Sequence, residues 1–387
     1  MRITLIITSL EAGGAQRVMT VMANYWAERG EDVTIITLSP ESNDWYKLHH
    51  RVKRVGLRLI SGPTHIAQAV RNNVQRVCCL RRELRLLQPH AVICFLDTMN
   101  VITLMASSGL GIPVIVSERT DPRQHHINLA WSALRALFYR HANAVVVQSN
   151  TVRDWASKFL RTSTVHVIPN PIKPMFNVIE HHSNFRGSGH MVVAMGRLGR
   201  EKGFDLLIKA FGKCITTHSD WSLVILGEGR ERRNLEILAA DLRIADHVSI
   251  AGQVHEPAET LSRADLFVLS SRYEGFPNAL LEAMACKLPV ISTDCPSGPR
   301  DIVRDNVDGV LVPPNDVDAL AAAMDRFMAD QAERKRLGAR AGEVIQRFSI
   351  ERIMSLWEKV LMQACPQPLS QEGSATGGLV KRLREII

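Results

Sequence analysis

The chain has 387 residues, enough for two domains, because single hydrophobic cores rarely grow beyond about 250–300 residues. Its composition is that of a globular protein, with 46% hydrophobic residues and a net charge of +8. No apolar run reaches the roughly 18 residues that a membrane-spanning helix needs, which argues against a transmembrane segment. The first segment, MRITLIITSL, is followed by Glu11 and two glycines, which predicts a buried strand rather than a signal peptide.

The cysteine pattern indicates a reducing compartment. The count of seven is odd, no CxxC pair occurs, and several cysteines lie in apolar segments such as AVICFL. We therefore expect reduced thiols in a cytoplasmic protein rather than disulfides or a metal site.

Short apolar runs alternate with amphipathic segments along the whole chain. Strands are predicted in the first half at 2–8, 33–38, 91–96, 113–117, 144–148 and 165–168, and in the second half at 191–195, 222–226, 247–251, 265–270, 289–292 and 309–312. Helices are predicted at 15–29, 131–141, 204–213, 230–242, 278–286, 317–330 and 332–346. This βαβα order with continuous apolar strands predicts an α/β protein whose parallel sheets are covered on both faces.

The pattern restarts after a Pro-, His- and Gly-rich stretch at 168–190, which we interpret as a linker. We therefore predict two doubly wound, Rossmann-like domains that face each other across a cleft. The predicted boundaries are 1–185 for the N-terminal domain and 186–348 for the C-terminal domain. A helix at 349–364 is expected to pack back on the first domain, and 365–387 is expected to be a flexible tail. The last nine residues could instead form a basic amphipathic helix that touches a membrane.

Positive charge is concentrated in the first half of the chain. Residues 1–186 contain 22 Lys and Arg against 12 Asp and Glu, and the segment 47–85 contains ten basic residues against the single acid Glu83. Such a surface favours an anionic partner, and an anionic membrane fits better than nucleic acid because aromatic residues are few and no recognition motif occurs. The alternative is a solvated basic face without a partner.

Two glycine-containing loops follow predicted strands. Gly13 and Gly14 precede a helix, which is typical of a phosphate-binding turn but equally of a plain tight turn. The loop GRLGREKG crowds Arg197, Glu201 and Lys202 before the next helix, which predicts an anion pocket in the second domain. The alternative for this second loop is a solvated surface loop.

The stretch RYEGFPNALLEA places Glu274 and Glu282 on either side of a Gly-Phe-Pro break. Pro277 suits the first turn of a helix, so Glu274 is expected in a loop at the sheet edge and Glu282 one turn inside the helix. The amides near residues 278–280 are expected to be unpaired donors between the two acids. For Glu282 the alternative is a solvent-exposed helix position, but its apolar neighbours favour burial.

A possible metal motif, Asp316-x-Asp318, precedes an Ala-rich helix. Acids in a first helical turn are ordinary capping chemistry, so we interpret both as helix-capping residues and predict no metal and no cofactor.

Taken together, the motifs resemble family 4 retaining glycosyltransferases of the GT-B architecture. Four elements match in order: 13–17, 196–203, 274–282 and the strand exit around Gly298. The segments 114–122 and 290–303 more narrowly resemble bacterial exopolysaccharide and lipid-linked glycan transferases, including the amylovoran type. The resemblance implies transfer of a hexose or N-acetylhexosamine from a nucleotide sugar, UDP-linked by family habit, to a growing polyprenyl-diphosphate-linked glycan.

The resemblance also implies roles for individual residues. Arg197 and Lys202 would neutralise the departing diphosphate, Glu274 would approach the transferred sugar, and all three are the expected catalytic residues. Glu282 would bind the ribose. The remaining expected donor-binding residues are Gly13, Gly14, Val254 at the nucleobase, Phe276, Asn278, Ala279 and Leu280. Family members often carry Glu where Asp301 stands, so no role is assigned to Asp301.

The acceptor is expected in the basic N-terminal domain. Candidate acceptor residues are Glu118, Arg119 and His125, which follow a predicted strand, and the alternative is that they are surface loop residues. The protein is then expected to be cytoplasmic and peripheral on the inner face of the plasma membrane. Two further hypotheses are a UDP-sugar epimerase of the same architecture and a nucleotide-sugar or lipid-binding module without turnover.

Overall fold

The computed structural model describes residues 1–62, 64–125, 127–172 and 189–365, and the chain divides into two compact units. The first unit comprises Met1–Pro171 and the chain from Ile353 onward, and the second comprises Ile172–Arg352. Most of the predicted linker, the predicted boundary at 185/186 and the predicted tail helix lie outside the described residues. Among the described residues, no helix has the length and hydropathy of a membrane span.

The first unit contains a parallel sheet of seven described strands in the order β3-β2-β1-β4-β5-β6-β7. The strands are β1 (Arg2–Ile7), β2 (Asp32–Thr37), β3 (Lys53–Gly56), β4 (Ala91–Phe95), β5 (Val114–Ser117), β6 (Ala144–Val147) and β7 (Val165–Val167). The helices are α1 (Gly14–Glu28), α2 (Ile66–Leu87), α3 (Asp97–Ser107), α4 (Leu129–Phe138) and α5 (Asn150–Ala156).

The second unit contains a parallel sheet of six described strands in the order β10-β9-β8-β11-β12-β13. The strands are β8 (His190–Met195), β9 (Trp221–Leu226), β10 (Val248–Gly252), β11 (Leu266–Leu269), β12 (Val290–Thr293) and β13 (Val310–Val312). The helices are α6 (Phe204–Cys214), α7 (Arg232–Asp241), α8 (Pro257–Arg263), α9 (Asn278–Ala285), α10 (Pro299–Ile302), α11 (Val317–Ala329), α12 (Gln331–Ala341), α13 (Val344–Arg347) and α14 (Ile350–Ala364), which belongs to the first unit from Ile353.

Each unit has its own apolar core, because its central strands are buried on both faces. In the second unit, Phe204, Leu207, Ile208 and Phe211 occupy one face of α6 and are all at most 4% exposed. This spacing of three and four residues is what turns one stripe of a helix toward a sheet. In the first unit, Trp357 of α14 packs against Phe95 at the end of β4, with ring centroids 6.0 Å apart.

The predicted elements differ from the structure in a few places. Strand β3 was not predicted, since it is a short, basic strand at the sheet edge, where charged residues are common. Helices α2, α3, α5 and α8 were also not predicted. The single helix predicted at 332–346 is wrong: α12 ends at Ala341, and a separate short helix, α13, follows.

In both sheets the order in which strands are added reverses at the first strand of the unit. In the second unit the chain builds β8, β9 and β10 toward one edge and then returns to place β11 on the other side of β8. In the first unit the same reversal places β4 beside β1. Ligands of doubly wound proteins bind beyond the carboxyl ends of the strands at this switch point. The loops after β8 and β11, and those after β1 and β4, are therefore the places to look for a site.

Candidate active site

The loops that leave β8 and β11 pack closely against each other. Gly203, the residue before α6, has a φ of +63° and approaches the Ser270 carbonyl so closely that a Cβ would lie 2.1 Å from that oxygen. Ser270 Oγ donates to the Lys202 carbonyl at 3.0 Å, and the Arg272 amide donates to the Glu201 carbonyl at 2.8 Å. Only glycine satisfies both the backbone conformation and this approach.

This packing brings two predicted catalytic residues into direct contact. Lys202 Nζ donates to Glu274 Oε1 at 2.7 Å, and Ser271 Oγ donates to the same oxygen at 2.6 Å. The side chains of Lys202 and Glu274 are 21% and 8% exposed. The pair is therefore largely shielded from water, where an ion pair is stronger than at an open surface.

Residues at the end of β12 and in the loop after it hold the backbone of the Glu274 loop. Ser297 Oγ donates to the carbonyls of Glu274 and Gly275 at 2.8 and 3.1 Å, and Thr293 Oγ1 donates to the Ser271 carbonyl at 2.5 Å. Gly298 has a φ of +94°, and a Cβ there would lie 2.7 Å from Pro277 Cδ. The motif around Gly298 thus holds the Glu274 loop in place.

Helix α9 begins at Asn278, directly after Pro277, as predicted. Glu282 lies one turn inside it and is 2% exposed, so the solvent-exposed alternative is wrong. The expectation of three unpaired amides is wrong for Leu280, whose N–H donates to the Pro277 carbonyl at 3.2 Å. Phe276, another predicted donor-binding residue, packs against Phe348, with the two rings edge-on and their centroids 5.7 Å apart.

Two predicted donor-binding residues lie toward solvent. The Arg197 side chain is 78% exposed and pairs with Glu201 at 2.7 Å. Val254, in the loop after β10, is 36% exposed. Among the described residues no hydrogen bond or ion pair joins Arg197 to Lys202 or Glu274. Within this loop, Arg197 pairs with Glu201, whereas Lys202 pairs with Glu274.

In the first unit, the glycine loop after β1 is tied to a tyrosine. The Gly13 amide donates to the Tyr46 hydroxyl at 3.2 Å, and that hydroxyl donates to the Gly13 carbonyl at 3.1 Å. Gly14 is the first residue of α1. This loop follows β1, the neighbour of β4, so it lies at the switch point, where Gly13 and Gly14 are expected to bind the donor.

Glu118, directly after β5, is 1% exposed and therefore not a surface loop residue. Its Oε1 accepts from the Tyr139 hydroxyl at 2.6 Å and lies 3.6 Å from Arg135. Tyr139 in turn accepts from Asn100 Nδ2 at 2.8 Å. Burial raises the pKa of Glu118 to about 7, although Arg135 and the Tyr139 hydrogen bond lower it.

The other two candidate acceptor residues differ in exposure. Arg119 is 8% exposed and stacks over the Phe95 ring, with its guanidinium carbon 4.1 Å from the ring centroid. The His125 side chain is 49% exposed, and its Nε2 lies 3.7 Å from Asp97 Oδ2. The surface-loop alternative is thus wrong for Glu118 and Arg119 and describes His125 better.

The two acids of the Asp-x-Asp motif serve α11. Asp316 caps the helix by accepting from the Ala319 amide at 2.9 Å, and Asp318 forms an ion pair with Lys213. This is the capping role predicted for Asp316. Among the described residues, no group of three His, Cys, Asp or Glu side chains is arranged to hold a metal ion. The described cysteines are free thiols.

Three residues of these clusters were not predicted. Ser271 and Ser297 position Glu274, and Tyr139 holds Glu118. A signal existed for Ser271, since it directly follows an apolar strand and precedes the acidic loop. Tyr139 lies 21 residues from Glu118 in the chain, and only the folded sheet brings them together.

Comparison with known proteins defines the class. A model described as Glycosyltransferase Family 4 matches residues 12–175, and one described as Glycosyl transferases group 1 matches residues 177–344. The chain is 28% identical to a Campylobacter jejuni GalNAc-α-(1→4)-GalNAc-α-(1→3)-diNAcBac-PP-undecaprenol α-1,4-N-acetyl-D-galactosaminyltransferase, over 94% of this chain and 99% of that protein. It is 26% identical to the amylovoran biosynthesis glycosyltransferase AmsD of Erwinia amylovora, over 59% of this chain and 64% of that protein.

A solved structure shows the same fold. The Anabaena protein HepE in complex with UDP-glucose matches with a TM-score of 0.78 at 17% identity, covering 93% of this chain and 99% of that one. The two Rossmann-like units of this chain therefore have the GT-B architecture. The chain belongs to the family 4 glycosyltransferases. The epimerase alternative receives no support from these relatives. They are described as glycosyltransferases, which also argues against a binding module without turnover.

Proposed function

We propose that the protein transfers a hexose or N-acetylhexosamine from a UDP-sugar to a polyprenyl-diphosphate-linked glycan during surface polysaccharide synthesis, with retention of anomeric configuration. The observation that carries the proposal is the shielded Lys202–Glu274 pair at the switch point of the second unit. Support comes from relatives whose names describe a glycosyltransferase acting on an undecaprenol-linked glycan and one of amylovoran biosynthesis.

Lys202 is suited to stabilise the leaving diphosphate. Its ammonium has three N–H donors, so it can keep the hydrogen bond to Glu274 and still donate a hydrogen bond to a phosphate oxygen. Arg197, whose guanidinium is exposed, supplies a second cation. Fixed cations of this kind lower the energy of a departing nucleoside diphosphate, so the proposed reaction requires no metal. A rate that is unchanged by EDTA is the expected result.

Glu274 is proposed to orient the sugar rather than to attack it. Its Oε1 already accepts from Lys202 and Ser271, and two such hydrogen bonds reduce the nucleophilicity of a carboxylate. Same-face attack by the acceptor hydroxyl, with the leaving phosphate accepting its proton, then accounts for retention. Glu282, buried in α9, is proposed to bind the ribose hydroxyls, and backbone groups near Val254 the base.

The acceptor is proposed to reach the first unit from an anionic membrane, with the protein peripheral on the cytoplasmic face. Helix α2 supports this proposal, because its solvent side carries an apolar stripe, Ile66, Val70 and Val74, that is 56–83% exposed. Arg82 and Arg85 are exposed farther along the same helix. An amphipathic helix with exposed apolar residues and arginines binds anionic lipid surfaces.

The decisive experiment is a screen of UDP-sugars against short lipid-linked acceptors, with the product mass read by mass spectrometry. We expect a mass increase of one hexose or N-acetylhexosamine for one donor, and NMR of the product should show the anomeric configuration of the donor. The absence of product from every donor and acceptor, or unchanged transfer by both Lys202→Ala and Glu282→Ala, would refute the proposal.

A further inference from the structure

Arg119 is a buried cation surrounded by neutral groups. Its guanidinium donates to Ser117 Oγ at 3.4 Å and to Asn170 Oδ1, and it stacks on the Phe95 ring. Its Nε is buried and has no hydrogen-bond acceptor among the residues that the structure describes. Gln148 donates to the same Asn170 oxygen at 2.6 Å, so Asn170 does not depend on Arg119 for a donor.

No carboxylate compensates this charge within the described part of the chain. The adjacent acid, Glu118, points to the other side of the strand, where Tyr139 and Arg135 engage it. Burial lowers the pKa of Arg119 to about 9, and none of the acids that the structure describes raises it again. A buried charge without a counter-ion destabilises the folded state, which a purely structural role would not offset.

The position of Arg119 suggests what it binds. It follows β5, and its guanidinium lies over Phe95, the last residue of β4. Strand β4 lies between β1 and β5 in the parallel sheet. Arg119 therefore lies at the carboxyl ends of the strands, on the same side of the sheet as the Gly13–Gly14 loop. Ser117 Oγ accepts from Arg119 and keeps its own O–H, and Gln148 Nε2 keeps a second N–H beyond the one it donates to Asn170. Arginine with neutral donors around it is the arrangement that recognises a phosphoryl group.

We propose that Arg119 binds a phosphoryl oxygen of a substrate diphosphate and that this anion supplies its missing counter-charge. The inference rests on the proposed function, which provides two sources of that group: the diphosphate of the UDP-sugar and the diphosphate of the polyprenyl-linked acceptor. Both offer the same chemistry to a guanidinium, so the experiment separates them.

The test compares wild type, Arg119→Gln and Arg119→Lys by titration calorimetry with UDP and, separately, with farnesyl diphosphate. The control is Arg140→Gln, which removes an exposed arginine of the same unit. We expect Arg119→Gln to weaken binding of one of the two by about 10- to 100-fold, the loss of one charge-assisted hydrogen bond, and to leave the other unchanged. The anion that is lost identifies the source.

A second readout separates binding from structure. If Arg119 serves an anion, Arg119→Gln should unfold in urea at a concentration no lower than wild type, because it removes an uncompensated charge. If both anions are lost, recovery of either by Arg119→Lys supports the inference and no recovery refutes it. Unchanged affinity of Arg119→Gln for both anions, or no binding of either by wild type, also refutes it. The proposed function fails on a different result, namely that wild type transfers no sugar.

Discussion

The ammonium of Lys202 lies 2.7 Å from Oε1 of Glu274, although 72 residues separate them in the chain. Each residue belongs to a loop at the carboxyl end of a strand, and β8 and β11 are neighbours in the sheet. The pair therefore forms only because the strand order places β11 directly beside β8. This relationship determines how the two loops respond to substitution.

Lys202→Ala should reduce kcat/KM for sugar transfer by about 100- to 1,000-fold, because it removes a fixed cation from the leaving diphosphate. The control is Lys209→Ala, which removes an exposed lysine of α6. Initial rates with a UDP-sugar and a lipid-linked acceptor measure the effect. Equal losses in both variants would show that Lys202 has no special part in the reaction.

Gly203→Ala should destabilise the second unit by more than about 2 kcal/mol, because the new Cβ would overlap the Ser270 carbonyl as well as occupy an unfavourable backbone conformation. Gly111→Ala is the matched control: Gly111 also has a positive φ, +69°, but a Cβ there meets nothing within 4 Å. That variant should lose only about 1 kcal/mol. Urea unfolding measures both, and equal losses would contradict the close approach of the two loops.

Glu118→Gln should change stability with pH. Burial raises the pKa of Glu118 from its ordinary 4.5 to about 7, so the folded protein binds more protons than the unfolded chain between these values. Stability from this group is full below the lower value and falls as the pH rises through the higher one. The Gln variant is neutral throughout. Its free energy of unfolding relative to wild type should therefore rise by about 2–3 kcal/mol as the pH goes from about 5 to about 8.

Urea unfolding at the two pH values measures that gain, with Glu28→Gln, an exposed position of α1, as the control. A stability difference between Glu118→Gln and wild type that is the same at both pH values would contradict the buried, protonatable carboxyl.

Binding to liposomes that contain anionic lipid should be salt-sensitive and should depend on α2. Replacing Arg82 and Arg85 by Gln removes about 2 kcal/mol of electrostatic attraction and should weaken binding about 30-fold at low salt. The same change at Arg233 and Lys335, which are exposed in the second unit, should have little effect. Flotation measures both variants, and equal binding to neutral liposomes would argue against this docking mode.

The buried strands and the order of elements followed from sequence because parallel strands read as continuous apolar runs, as at 91–96 and 144–148. The break at Pro277 likewise predicted where α9 begins. Helix α3 was missed because it is buried on most of its surface, with Asn100 and Thr103 inside, and so lacks a clear polar face. Helix α2 was read only as a basic stretch, because its solvent side carries apolar residues where charges are usual.

By itself, the sequence determined the fold class and the family, since these depend on local periodicity and on short spacings. Tertiary structure alone decided which charges meet. Lys202 is paired with Glu274, Arg197 is turned to Glu201 and solvent, and the buried Arg119 forms no ion pair with any acid that the structure describes. These outcomes depend on strand order and on which loops that order brings together, and neither is encoded in the spacing of residues along a single element.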